Sequence, residues 1–355
     1  MGKWRENLIK ITPYVAVEQS KDKDIVKLNA NENPYPPAPE TEKILKAYQS
    51  GTLRKYPDAD ATPLKEALAE HFKLAPENFF IGNGSDDVLA LSFMAFFNSE
   101  KPILYPDITY SFYPVWCSLF NIKYENIPLR PDFSIDISDY ARENGGIVIP
   151  NPNAPTSIGL AETQIRELLN SNQDSVVIID EAYVDFGGES VVKLISEYEN
   201  LLVVQTFSKS RSLAGERIGY AIGNPELIAT LDAVKNSYNS YTVDSLAISL
   251  GVASVKDEEY FRETIKKVID TRERLSAELK KLGFEVMPSQ TNFLFVTHKS
   301  ESAKEIFEYL KTRKVFIRYF ALPKIDNYLR ITVGTDKETD ILLTEISRFF
   351  DEKQA

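Results

Sequence analysis

Residues 147–150, 176–180 and 201–205 are short and almost unbroken in their apolar character. A strand with one face in water alternates apolar and polar residues, whereas an unbroken run belongs to a strand covered on both faces. Further strand candidates lie at 79–81, 103–105, 123–127 and 219–222. Helical patterns fall between them. Thr62-Pro63 reads as an N-cap followed by proline in the first turn, opening 64–74 with apolar spacings of three and four. Gly82-Asn83-Gly84-Ser85 turns a strand into a helix that runs to about residue 98. The alternation predicts an α/β sandwich with a large, mostly parallel seven-stranded sheet between helices. Functional loops would gather at the C-terminal ends of the strands.

After about Tyr241 the texture changes. A helical stretch near 243–281 leads to strand-like 284–287 and 293–297, a helix near 302–312, a strand near 329–333 and a closing helix near 337–350. This predicts a second, smaller α+β domain. The expected division is an N-terminal arm over 1–30, a large domain over 31–242 and a small domain over 243–355. Asn31-Glu32-Asn33-Pro34-Tyr35-Pro36-Pro37 must be loop, because prolines lack the backbone donor of regular structure.

The 355 residues suffice for one large core and a smaller one. A net charge of −11 argues against nucleic acid and acidic membrane surfaces, yet leaves room for an arginine cluster that takes a small anion. Cys117 is the single cysteine, so no intrachain disulfide forms and a reducing cytoplasm is the expected setting. Its apolar neighbours suggest a core thiol. The start of the chain shows no apolar signal core, and Glu6 breaks the myristoylation pattern. No apolar run reaches membrane-spanning length. His71 and His298 are far apart and read as surface or edge residues. One cysteine and two separated histidines give no basis for a zinc cage or a Cys-His nucleophile, so no metal is expected. Acid–base chemistry falls to Lys, Tyr, Asp or Glu.

Several loops then stand out. Lys209 follows the apolar run 201–205 in Thr206-Phe207-Ser208-Lys209, where burial and nearby positive charge favour a neutral, nucleophilic amine. Gly82-Asn83-Gly84-Ser85-Asp86 joins a strand to a helix, and helix N-termini present free amides to anions; it serves equally as a tight turn with Ser85 as N-cap. Asp180 ends a buried strand, where a carboxylate needs a cation or must reach the surface as a cap. Asn151-Pro152-Asn153-Ala154-Pro155-Thr156 is a rigid polar turn. Arg318 and Arg330 carry the planar fork that suits carboxylate or phosphate, although a lone strand arginine is commonly a surface ion pair.

Taken in order, these parts are what pyridoxal phosphate requires: an anion site, an acid partner for the ring nitrogen and an amine for a Schiff base. The chain resembles the class I/II aminotransferases of fold type I almost end to end, and within them it is most similar to the histidinol-phosphate aminotransferase branch. The resemblance rests on Leu28-Asn29-Ala30-Asn31-Glu32-Asn33-Pro34, Arg54-Lys55-Tyr56-Pro57, Pro106-Asp107-Ile108-Thr109-Tyr110, Ser208-Lys209, Leu213-Ala214-Gly215-Glu216-Arg217 and Leu329-Arg330-Ile331-Thr332-Val333-Gly334. It implies that Lys209 holds the cofactor, Asp180 pairs with the ring nitrogen, Tyr183 bonds the phenolic oxygen and Tyr110 stacks on the ring. Gly84, Ser85, Asp86, Ser208 and Arg217 would surround its phosphate. Tyr56 would reach that phosphate from the second subunit of a homodimer. Arg330 would receive the donor carboxylate, and Arg318, Tyr14 and Asn292 the substrate's anionic tail. Where the family has Asn-Pro-Thr-Gly, this chain reads Ala154-Pro155-Thr156-Ser157. Asn153 is then the expected substitute for the lost asparagine contact. Glu216 beside Arg217 is a second departure, able to weaken or to orient the arginine.

The implied reaction moves an amino group from glutamate to imidazole-acetol phosphate. 2-Oxoglutarate and L-histidinol phosphate are released, with Lys209 carrying the α-proton. An aromatic amino-acid aminotransferase fits the same lysine and carboxylate, and threonine-phosphate decarboxylase shares most of the motifs. A non-catalytic relative would have lost Lys209 or Asp180; both are present.

Overall fold

The computed structural model describes residues 3–15, 18, 22 and 24–354. In chain order the strands are β1 (Val26–Lys27), β2 (Phe79–Asn83), β3 (Ile103–Pro106), β4 (Tyr124–Ile127), β5 (Ile147–Pro150), β6 (Val177–Asp180), β7 (Leu201–Thr206) and β8 (Ile218–Gly223). Then come β9 (Phe284–Val286), β10 (Phe293–His298), β11 (Val315–Phe316), β12 (Arg318–Tyr319) and β13 (Leu329–Thr332). The helices are α1 (Pro39–Ala47), α2 (Thr62–Phe72), α3 (Ser85–Phe96), α4 (Tyr113–Phe120) and α5 (Glu162–Asn170), followed by α6 (Pro225–Tyr238), α7 (Ser245–Lys256), α8 (Glu258–Lys281), α9 (Ala303–Thr312) and α10 (Asp336–Gln354).

The large sheet has seven strands in the order β2-β8-β7-β6-β5-β3-β4, and only β8 runs against the rest. Every residue of β5, β6 and β7 is buried, as their unbroken apolar runs require. Alternate residues feed two cores. Ile149, Ile179 and Val203 point to one face, and Val148, Ile178, Leu202 and Val204 to the other, each covered by helices. Cys117 lies in the second core, where burial pushes its thiol up to about 12. The smaller unit is an antiparallel sheet, β12-β13-β10-β9, with β1 and β11 paired beside it. Leu28, from α8 Leu275 and Leu279, and from α9 and α10 apolar residues meet in its core.

Three boundaries differ from the sequence reading, each for a local reason. The stretch 243–281 is two helices, because Asp257 leaves helical geometry and its carboxylate caps the amide of Tyr260. α7 packs on α2, and Val243, Ala247, Ile248 and Val255 complete the core of the large sheet. The small sheet's own core takes its first helix from α8. At the start of α2, Asp58 rather than Thr62 supplies the cap, accepting the Thr62 amide at 3.2 Å. Among the described residues no helix is long and apolar enough to cross a membrane.

This topology concentrates chemistry on one edge. The C-terminal ends of β3, β5, β6 and β7 share it, and because β8 is reversed its beginning does too: Thr206 lies opposite Gly219, and Asn83 opposite Ile218. Asp107–Tyr110, Asn151–Thr156, Asp180–Tyr183, Lys209, Arg217 and the start of α3 therefore meet by register alone.

Candidate active site

A cavity of about 310 Å³ opens at this edge, lined by Ser85, Asp86, Tyr110, Asp180, Tyr183, Ser208, Lys209, Arg217 and Arg330 among others. A second, of about 530 Å³, lies beside it toward the small sheet and is lined by Ile108, Phe320, Leu322, Arg318 and Lys324, with Tyr105 and Asp107. The two share Tyr14, Tyr110, Ala154, Tyr183 and Arg330.

At the phosphate-sized end, α3 begins at Ser85. Its first intrahelical bond runs from the Val88 amide to the Gly84 carbonyl, so the preceding amides have no acceptor within the helix. β8 must come very close for this. A Cβ at Gly219 would stand 2.2 Å from the Ser85 nitrogen, and one at Gly84 (φ +84°) would stand 2.6 Å from Arg217 Nη2. Arg217 itself takes a left-handed φ of +52°, aiming its guanidinium at Asp86 Oδ2, 3.2 Å away. Asp86 Oδ1 accepts the Tyr110 hydroxyl at 2.6 Å. Asp86 thus ties the arginine to the aromatic wall. Glu216 makes no ion pair with Arg217; among the described residues its carboxylate partner is Asp86. The Ser208 hydroxyl accepts from Thr206 Oγ1 at 3.0 Å.

At the other end, Asp180 is 5% exposed at the tip of β6. Tyr113 donates to its Oδ2 at 3.0 Å and the Ala182 amide to its Oδ1 at 3.2 Å. Burial nevertheless pushes its carboxyl up to about 6. It makes no ion pair with any described residue, so a cationic ring nitrogen would offset the burial. Lys209 Nζ donates to the Ala30 carbonyl at 3.2 Å and lies 5.8 Å from the Tyr183 ring centroid. The Tyr183 hydroxyl accepts from Asn31 Nδ2 at 3.0 Å. Anion cradle, buried acid, free amine and aromatic wall fit a planar, phosphorylated heteroaromatic ring.

Arg330 on β13 donates Nη2 to the Asn29 carbonyl at 2.9 Å, while its buried Nε has no partner. Its cross-strand partner is Arg318. Burial, with Arg318 alongside, lowers its guanidinium from the ordinary value. Like charges directly opposite on neighbouring strands are unfavourable, and an anion between them removes the cost. Tyr14 stacks on Phe112, ring centroids 4.2 Å apart, on the shared wall.

Two expected residues are placed elsewhere. Asn153 is 1% exposed and borders neither cavity: its amide donates to the Ile108 carbonyl and Thr156 Oγ1, and its oxygen accepts from Thr109. It braces the loop. Asn292 is fully buried beneath the site, donating Nδ2 to the Asn31 carbonyl at 2.9 Å, so it supports a loop and touches no cavity. Tyr56 is 81% exposed, stacked on Tyr241 at 4.6 Å, and borders neither of its own chain's two cavities. His71 and His298 border neither cavity.

Sequence reasoning gave no role to Asn31, Asn33 or Tyr113. Asn31, at φ +57°, holds Tyr183 and bonds Thr332; Asn33 donates to the carbonyls of Lys209 and Ser210. The Asn-Glu-Asn-Pro loop was a visible signal for the first two. Tyr113, within an apolar helix, carried none.

Fold and site together define a transferase with a cavity that brings an amine, a buried acid and an anion cradle together, and the chain belongs to the aminotransferase class I and II family, whose model matches residues 23–346. It is 50% identical over 351 residues to the histidinol-phosphate aminotransferase of Lactococcus lactis subsp. cremoris (strain MG1363), covering 99% of each chain. It is 52% identical over 343 residues to that of Clostridium acetobutylicum, covering 97% of each. Among solved structures, the histidinol-phosphate aminotransferase of Sinorhizobium meliloti in complex with pyridoxal-5'-phosphate shares the fold, with a TM-score of 0.83 at 24% identity over 91% of each chain.

Proposed function

We propose that this chain binds pyridoxal 5'-phosphate and transfers an amino group between L-glutamate and imidazole-acetol phosphate, yielding L-histidinol phosphate, in the cytoplasm. The observation that carries the reading is the adjoining pair of cavities. The first holds amine, acid and anion cradle, and the second is cationic and apolar, reached past Arg330. The cofactor, when bound, supplies an electron sink for the substrate's α-carbon.

The chain's residues supply the rest. Arg217, the first amides of α3, Ser85 and Ser208 hold the phosphate. Asp180, kept in place by Tyr113, stabilises a protonated ring nitrogen. Tyr183, oriented by Asn31, bonds the phenolic oxygen, and Tyr110 covers the ring. Lys209 would be the covalent anchor and, with its amine free, the group that carries the substrate's α-proton, since neither His71 nor His298 borders the cavity. Arg330 receives a carboxylate and Arg318 the anionic tail. The exposed Tyr56, Leu53 and Tyr238 support a two-fold interface through which Tyr56 reaches the partner's phosphate site. The division we propose is an arm to about residue 30, a large domain that runs through α7, and a small domain from α8.

Lys209→Ala should abolish borohydride-trappable cofactor and transamination together; a variant that keeps either one refutes the assignment. The apolar lining of the second cavity, from Ile108, Phe320 and Leu322, favours an aromatic oxo acid as the second reading. Half-reaction rates with L-histidinol phosphate and L-phenylalanine separate the two.

A further inference from the structure

Lys324 sits at the rim of the second cavity, on the loop between β12 and β13. Its Nζ lies 2.6 Å from Asp107 Oδ2, across from the end of β3. Asp107 is itself fixed, its other oxygen accepting the Leu129 amide at 3.0 Å. Lys324 also holds a left-handed backbone, φ +70°, a region that disfavours every side chain larger than glycine's. The ion pair with Asp107 keeps the Lys324 charge at the cavity rim, where it is available to an anion.

The charges around this cavity make that use specific. Arg318, Arg330 and Lys324 are its cations and Asp107 its acid. L-Histidinol phosphate carries no carboxylate, so Arg318 and Arg330 both face its phosphate monoester, of roughly −1.5 to −2 charge at neutral pH, and Lys324 is the third cation lining the same cavity. An ammonium has three donors, and Asp107 takes one. We infer that Lys324 is a specificity-determining residue, held by Asp107 so that its remaining donors meet the phosphate of the substrate beside Arg318. The inference rests on the proposed phosphorylated substrate and deepens it.

The test compares kcat/KM of the cofactor-loaded enzyme for L-histidinol phosphate with that for L-histidinol, the same amine without its phosphate. Lys324→Gln should lower the ratio about tenfold, the discounted value of one partly exposed charged contact, and Lys324→Arg should keep most of it. Lys324→Gly separates charge from backbone: it relaxes the left-handed turn and raises the melting temperature, yet the ratio must fall as in the Gln variant. An unchanged ratio in Gln and Gly variants, or an equal loss on both amines, overturns the inference. If instead the unaltered enzyme does not discriminate between the two amines, the proposed substrate itself is wrong.

Discussion

Gly219→Ala tests the cofactor site without touching any side chain in it. Gly219 pairs with Gly82 in the β2–β8 ladder, and a Cβ there would meet the Ser85 nitrogen at 2.2 Å and the Gly84 carbonyl carbon at 2.3 Å, where ordinary contact begins near 3.4 Å. Both atoms are backbone, so no side chain can swing aside. β8 and the start of α3 must part by about 1 Å, at a cost of about 1–3 kcal/mol, as for other overpacked sites. The same displacement draws the first amides of α3 away from a bound phosphate. Losing one charge-assisted bond there weakens binding by about ten- to a hundredfold. The assay titrates cofactor-free protein with pyridoxal 5'-phosphate, following the visible absorbance that forms with Lys209, alongside thermal melting of the cofactor-free protein. Gly215→Ala is the control, since nothing lies within 4 Å of a Cβ there. If Gly219→Ala melts lower but binds cofactor as tightly as before, the start of α3 is no part of the phosphate site. If neither quantity moves, the close approach of β8 is not what sets it.

Glu181, beside Asp180 but facing Ser190, Val191 and Gln205, is pushed up to about 7 by burial, against three hydrogen bonds that favour its charge. Because its folded value lies above the unfolded 4.5, its stabilising contribution is complete below about pH 4.5 and is lost as pH rises through 7, about 3 kcal/mol in all. Glu181→Gln should therefore flatten the stability profile between pH 5 and 8 in chemical denaturation; parallel profiles would show that Glu181 is already ionised at pH 5. For the proposed dimer, neither Lys209→Ala nor Tyr56→Ala homodimers should turn over well. Mixing and refolding them should restore about a quarter of native activity, because half the dimers carry one intact site; no recovery would mean that Tyr56 serves its own subunit.

Much of the fold was readable because β5, β6 and β7 have helices on both faces and so carry unbroken apolar runs. What could not be read was where one packed layer ends and the next begins. Asp257 is an ordinary polar residue until its carboxylate turns back to cap Tyr260, dividing one long periodic stretch into α7 and α8. Nor does the periodicity of α7 reveal which sheet it covers. Only its contact with α2 assigns it to the large core.

The site divides along a similar line. Lys209, Asp180 and Arg217 were legible because strand ends place them, and register carries strand ends to a common edge. The orientation of Asn153 and Asn292 could not be read, because an asparagine in a loop gives no hint of which way its amide points. Tertiary packing turned one toward Thr109 and the other toward Asn31. That second turn has a consequence for chemistry. Asn292 holds the Asn31 carbonyl, Thr332 holds the Asn31 amide and side chain, and Asn31 holds the Tyr183 hydroxyl, while the adjacent Ala30 carbonyl takes the Lys209 amine. Thr332 ends β13 and Asn292 immediately precedes β10 of the small antiparallel sheet, whereas Lys209 and Tyr183 follow β7 and β6 of the large one. Movement of the small sheet would therefore reach both the lysine and the tyrosine through residues 30–31, so the substrate binding proposed at Arg330 and the proton transfer proposed at Lys209 would be mechanically joined by a loop that carries neither group.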